Sequence, residues 1–158
     1  MNNSEYRAHL YLKGIGYAAD QVEKLRDEIQ YMQDLTQEKD LTADRVQSSG
    51  IGNPTEQTAL KVIALREKLT MRIDQLLDYR MEAFRIMDMA RLTREEDQII
   101  RHYYLFTGSR GPTWERIAED LDYSVRAVYT IRTRALRKIA KVLDELDDES
   151  VHCIAVIR

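Results

Sequence analysis

The side chains best suited to chemistry in this sequence are the cations between residues 125 and 141. This segment contains six basic residues and no acidic one. Lysine and arginine side chains in such a run bind anions, and a nucleic acid offers anions at regular spacing. Polar groups that could reach base edges lie between the cations. The basic residues are Arg126, Arg132, Arg134, Arg137, Lys138 and Lys141, and the polar ones are Tyr129, Thr130 and Thr133.

The spacing of apolar residues predicts how these cations are positioned. A helix is expected from Val125, capped by Ser124, with an apolar face opposite the basic one. A shorter helix precedes it, with Ile117, Ala118 and Leu121 inward, and residues 122–124 form the turn between the two. A short helix followed by a cationic helix is typical of the helix-turn-helix, whose second helix enters the DNA major groove. The apolar face consists of Val125, Val128, Ile131, Leu136 and Ile139.

An ordinary helical hairpin with a solvated basic face is the simpler interpretation of the same pattern. The absence of compensating carboxylates favours DNA binding, and so does the uneven charge of the chain. The 158 residues carry a net charge of −3, yet residues 91–141 contain 11 lysines and arginines against 7 aspartates and glutamates. Basic character is therefore concentrated around the presumed groove-facing helix.

Composition predicts an all-α protein in the cytoplasm. Two prolines and six glycines leave long stretches free to be helical, and strand-like alternation is nearly absent before the last eight residues. Cys153 is the single cysteine, so no disulfide can form within the chain. We find no stretch of about 20 apolar residues and no signal-peptide pattern, which predicts no membrane association.

The first part of the chain, residues 1–90, is expected to form an amphipathic, coiled-coil-like helical hairpin. Gly14 and Gly16 predict a break, followed by a helix over 17–38 with a seam of Val22, Leu25, Ile29 and Met32. Residues 39–53 are expected to be a linker. Asn53 and Pro54 then start a long helix that ends near residue 90. The two helices would pair within one chain or across a homodimer.

Residues 91–146 are expected to form the second domain, and residues 147–158 a tail. Thr93 and Glu96 have the spacing of a capping box, which predicts a helix from Arg94 to about Leu105. The loop over 106–112 ends at Thr113, the expected cap of the short helix. Trp114 is expected to pack at a helix junction.

Three segments of this domain, LTREEDQIIRHYYL, TWERIAEDLDYS and VRAVYTIRTRALRKIAKVL, resemble region 4 of sigma-70-type transcription factors. That module reads the promoter −35 element, and the resemblance covers residues 92–143. The sequence DRVQSS at 44–49, followed by a long helix and this module, also resembles small phage-encoded regulators of late transcription. The resemblance implies a cytoplasmic protein of a bacterial host cell that binds double-stranded DNA and could contact RNA polymerase.

By position, the resemblance places two groups of residues on the DNA. Arg126, Tyr129, Thr130 and Arg134 would meet bases and phosphates in the major groove, with Thr133 on the same face. Arg132, Arg137 and Lys138 would be backbone-positioning charges. The loop FTGSRGPT is longer and more basic than usual in the family, which predicts a phosphate contact for Arg110. Residues 1–90 lack the basic and aromatic cluster needed for promoter melting.

The expected function is therefore sequence-specific DNA binding in transcription regulation. One alternative is the DNA-recognition subunit of a phage packaging machine, a small terminase, which combines a helix-turn-helix with an oligomerising hairpin. Another is an adaptor whose basic helix binds an acidic protein surface. Catalytic, metal and cofactor sites are not expected, because His9, His102 and His152 are far apart and no glycine-rich phosphate loop occurs.

Overall fold

The computed structural model describes residues 3–42, 54–105 and 111–146, and these residues form five helices and no strand. The helices are α1 (Asn3–Thr42), α2 (Pro54–Met89), α3 (Arg94–Tyr104), α4 (Trp114–Asp120) and α5 (Val125–Glu145). The all-α prediction is confirmed. The finer prediction, a helical hairpin followed by a helix-turn-helix domain, stays a prediction. None of the helices described is long and apolar enough to cross a membrane.

The chain divides into two compact units. The first unit comprises Met1–Asp20 and Leu76–Arg158, and the second comprises Gln21–Gln75. This division does not follow the predicted boundary between residues 90 and 91, because the first turns of α1 and the last turns of α2 share a core with α3 and α5. Most of the predicted linker, the loop over 106–110 and the tail over 147–158 lie outside the described residues.

The predicted break at Gly14 and Gly16 is wrong, since α1 continues through both glycines. Each glycine in a helix costs about 1 kcal/mol relative to alanine. Burial of a large apolar side chain contributes about 1.5–3 kcal/mol, and Leu12 and Ile15 beside the glycines are fully buried. Gly16 also lies against α3, because a Cβ at this position would be 3.5 Å from the carbonyl oxygen of Tyr104.

The core of the first unit positions α5. Leu12 of α1, Ile86 of α2 and Ile100 of α3 belong to one buried cluster with Leu136 and Ile139 of α5. A second cluster joins the short helix to its neighbours and contains Ile99, Ile117, Ala118 and Val128. The two clusters hold α4 and the start of α5 against α3, as the predicted inward faces require.

Local caps fix where the helices of this unit begin. The capping box of Thr93 and Glu96 is confirmed, and so are the caps at Thr113 and Ser124. The turn between α4 and α5 closes when the Tyr123 N–H donates to the Ala118 carbonyl at 2.8 Å. Asp122 takes a φ of 57°, the left-handed conformation that this type of helix ending requires.

The second unit contains the predicted seam. Val22, Leu25 and Ile29 of α1 are buried, as is Val62 of α2. Several large apolar side chains of the same unit nevertheless face solvent. These are Tyr31, Leu60, Ile63 and Met71.

Candidate nucleic-acid interface

The buried side of α5 is the side that helical spacing predicts. Val128, Leu136 and Ile139 are fully buried, while Val125 and Ile131 are half-buried. The opposite side carries Arg126, Tyr129, Thr130, Thr133, Arg134 and Arg137. The burial of one side therefore directs the other outward, and the candidate interface must lie there.

Two cations on this face are open. Arg126 and Arg134 are exposed, and within the described ranges neither side chain has an ion pair or hydrogen bond. Tyr129 lies near them with 41% of its surface exposed. The hydroxyls of Thr130 and Thr133 each donate to a carbonyl of the preceding turn, at 2.9 Å in both cases. These five residues form what we call the open face of α5.

Three other cations of α5 are anchored, although the resemblance predicts phosphate contacts for all of them. The Lys138 Nζ lies 2.6 Å from an oxygen of Glu96, whose side chain is 1% exposed. The Arg137 Nε lies 2.5 Å from an oxygen of Glu5, whose side chain is 5% exposed. Arg132 contacts the side chains of His9 and Tyr104. We call these three residues the anchored cations.

Glu96 is a buried carboxylate whose two oxygens differ in their hydrogen bonding. One oxygen accepts from the Thr93 N–H at 2.8 Å and from Lys138. The other oxygen is buried and has no hydrogen-bond partner among the residues that the structure describes. A buried carboxylate needs a compensating charge, and Lys138 supplies it for Glu96. Its cation is therefore largely neutralised by the protein itself.

The first turns of α1 run beside the C-terminal half of α5. Arg7 pairs with Asp144 at 3.2 Å, and Glu5 pairs with Arg137. Ala140 and Leu143 are buried in the same cluster as residues 8 and 12 of α1. The open face therefore lies in the N-terminal half of α5, between Arg126 and Arg134. An α-helix with its side chains is about 10–12 Å across, which fits a DNA major groove about 12 Å wide.

An aromatic cluster supports the start of this face. Trp114 stacks on Tyr103 with ring centroids 3.6 Å apart, and its ring lies 5.5 Å from the ring of Tyr129. The guanidinium carbon of Arg132 is 5.0 Å from the Trp114 ring centroid. The expected packing of Trp114 at a helix junction is confirmed. Burial raises the pKa of Tyr104, although its hydrogen bond from Arg132 opposes that shift.

Sequence patterns did not reveal the partners of the anchored cations. Glu5 and Glu96 are separated from their partners by 132 and 42 residues, and no local motif relates such positions. The spacing of Thr93 and Glu96 signals a cap only, not a pair with Lys138. The predicted contact residue Arg110 lies outside the described residues.

No group of three or more metal-ligating side chains occurs among residues 3–42, 54–105 and 111–146. Comparison of the chain with protein-family models, with curated proteins and with solved structures finds no match. The geometry of α5 and its neighbours therefore carries the functional argument.

Proposed function

We propose that this protein is a sequence-specific DNA-binding regulator of transcription that places the open face of α5 in the major groove. The observation that carries the proposal is the contrast within one helix between open and anchored cations. Arg126 and Arg134 are exposed beside Tyr129 and are not paired within the described part of the chain. A recognition helix reads bases with its N-terminal residues, and that is the half of α5 left uncovered.

The mechanism follows from the chemistry of this face. Arginine guanidinium groups bind guanine edges or phosphates through paired N–H donors. Tyr129 and Thr130 offer an apolar surface and a hydroxyl for neighbouring base edges. Each phosphate neutralised by an arginine releases counterions, so binding weakens as the salt concentration rises. Arg110 adds a phosphate contact in this proposal.

The second unit is proposed to hold two copies of the chain together as a homodimer. Exposed Leu60, Ile63 and Met71 on α2 support this assignment, because a helix with apolar groups in water gains free energy by pairing. Two reading helices would then meet two half-sites. The resemblance to region 4 of sigma factors and to small phage regulators further suggests a phage-encoded protein that touches RNA polymerase.

The decisive experiment measures the affinity of purified protein for duplex DNA, first with a genomic fragment library and then with the selected site. Arg126→Ala and Arg134→Ala are each expected to weaken binding by about 1–3 kcal/mol. Arg66→Ala is the matched control, because Arg66 is an exposed arginine on α2. We expect this control to bind as the wild type does. Full affinity in both α5 variants would show that the open face is not the DNA-binding surface.

Sedimentation of the free protein tests the proposed assembly. A dimer of 18.5 kDa chains supports the transcription proposal. A large ring would support DNA packaging instead. A protein that binds no duplex at low salt would favour the adaptor.

A further inference from the structure

Arg132 differs from every other cation of α5 in what it contacts. Its Nε donates to the Tyr104 hydroxyl at 3.0 Å, and its Nη2 lies 3.2 Å from Nδ1 of His9. Its guanidinium carbon lies 5.0 Å from the centroid of the Trp114 ring. One side chain of α5 therefore touches α1, α3 and α4.

The hydrogen bonds of this cluster form one consistent chain. Arginine has only donors, so Tyr104 accepts from Arg132 and its hydroxyl proton can point to His9. The Tyr104 oxygen lies 2.7 Å from the His9 Nδ1. Nη2 of Arg132 can only donate, so Nδ1 of His9 is an acceptor whose single lone pair is shared by Arg132 and the Tyr104 hydroxyl. This arrangement requires a neutral His9 with its proton on Nε2. These hydrogen bonds fix the plane of the Arg132 guanidinium over the Trp114 ring.

Trp114 connects the hydrogen-bonded group of Arg132, Tyr104 and His9 to the open face, because it contacts both Arg132 and Tyr129. Its ring stacks on Tyr103 with centroids 3.6 Å apart, and the Tyr129 ring lies next to it, tilted by 42° at a centroid distance of 5.5 Å. Tyr129 is 41% exposed and belongs to the open face. Arg132 itself follows Arg126 by six residues, which turns it about 120° away from Arg126 around the helix. Arg132 therefore supports the groove-facing side from beside it.

We propose that Arg132 is a positioning residue for DNA recognition: it holds Trp114 against Tyr129, sets the orientation of the open face, and does not contact phosphate. This inference rests on the proposed function. It reassigns a residue that the sequence resemblance places on the DNA backbone. It also makes α1, through His9, part of the recognition apparatus.

The salt dependence of DNA binding separates a positioning residue from a phosphate contact. Loss of one phosphate contact lowers the slope of log K against log salt concentration by about 0.9. Arg132→Gln should weaken binding on the order of tenfold with the slope unchanged, since neighbouring groups couple at that scale. Arg134→Gln, which removes a cation two residues later on the open face, should lower the slope.

Tyr104→Phe is the milder second variant, because it removes one hydroxyl and keeps every charge. It releases Arg132 from the hydrogen-bonded chain, so it should weaken binding several-fold at constant slope. A phosphate-binding Arg132 predicts the opposite pattern. In that case Arg132→Gln lowers the slope as Arg134→Gln does, and Tyr104→Phe leaves the affinity unchanged. That pattern overturns the proposal.

A measurement without DNA tests the contact itself. Trp114 is the single tryptophan of the chain, so the tryptophan emission of the protein reports its surroundings. Arg132→Gln and Tyr104→Phe should both change the intensity or wavelength of that emission, whereas Arg134→Gln should not. Unchanged emission in both test variants overturns the Arg132–Trp114 contact. If the emission changes but the wild type binds no duplex, the contact stands, and both the proposed function and the role of Arg132 in it are overturned.

Discussion

The two halves of α5 carry the same kind of side chain in opposite circumstances. In the N-terminal half, Arg126 and Arg134 face solvent and are not paired within the residues described. In the C-terminal half, Arg137 and Lys138 pair with carboxylates that are themselves buried. A basic helix is therefore not a uniform anion-binding surface. Arg126 and Arg134 are available to a ligand, whereas Arg137 and Lys138 are paired with buried carboxylates of the fold.

We expect substitutions of the paired cations and of the open cations to have different effects on stability and on DNA binding. Substitution of Arg137 or Lys138 should lower the free energy of unfolding, because it leaves a buried carboxylate without its partner. Substitution of an open cation should leave stability unchanged within about 0.5 kcal/mol and alter DNA binding alone.

The largest effect is expected at Lys138. Lys138→Met keeps most of the side-chain packing and removes the charge that compensates Glu96. The expected loss is about 2–3 kcal/mol in the free energy of unfolding, which allows for the partial exposure of Lys138. Denaturant titration at neutral pH measures it.

Lys141→Met is the matched control for this substitution, because Lys141 is an exposed lysine on the same helix. Glu96→Gln combined with Lys138→Met completes a double-mutant cycle and should recover part of the loss. Equal stability of the Lys138→Met and Lys141→Met variants would contradict the distinction between anchored and open cations.

A smaller effect is expected at Glu5, where an anchored cation can be converted to an open one. Glu5→Gln removes the negative charge that neutralises Arg137. Arg137 then becomes available to phosphate, so affinity for duplex DNA at low salt should rise a few-fold. The salt slope should steepen by up to about 0.9. Weaker DNA binding by a folded Glu5→Gln protein would contradict this assignment of Arg137.

The smallest effect is a pH dependence at His9. Burial lowers the pKa of His9 below its ordinary value of 6.5, and the charges of Arg132 and Lys13 lower it further. Tyr104 and Tyr6 are the other titratable groups that face the ring. The unfolded chain thus takes up a proton at a higher pH than the folded chain does. Above pH 6.5, neutral His9 makes its full contribution to the free energy of unfolding. This contribution decreases as the pH falls from 6.5 toward the pKa of His9 in the folded protein.

His9→Gln isolates this effect from other titrating groups. Unfolding of the wild type and of this variant should be compared between about pH 5 and about pH 8, the range in which histidine changes charge. The stability advantage of the wild type should shrink toward the acidic end. An advantage that grows on acidification would mean that the folded protein prefers charged His9.

Local features of this fold were predictable from sequence, and long-range ones were not. The caps at Thr93, Thr113 and Ser124 could be predicted because each side chain bonds to a backbone N–H three residues later. The inward face of α5 could also be predicted, because the helical period alone decides which residues share a face. Such interactions depend on chain geometry alone.

The continuous path of α1 through Gly14 and Gly16 depends on helices about seventy or more residues away that bury its neighbours. No propensity within α1 contains that information. The partners of the anchored cations could not be predicted from local sequence either, since Glu5 and Arg137 are 132 residues apart in the chain. Charge counts along the sequence thus located the basic helix but could not distinguish its anchored cations from its open ones.

Photo-crosslinking from the two halves of α5 tests the central claim most directly. A photoreactive side chain is placed at Thr130 in one variant and at Glu145 in another, both exposed positions of the same helix. Each variant is irradiated in complex with the duplex selected by the wild type. We expect efficient crosslinks to bases from position 130 and few from position 145. Crosslinks from position 145 alone, or equal yields from both positions, would contradict the assignment of the open face as the reading surface.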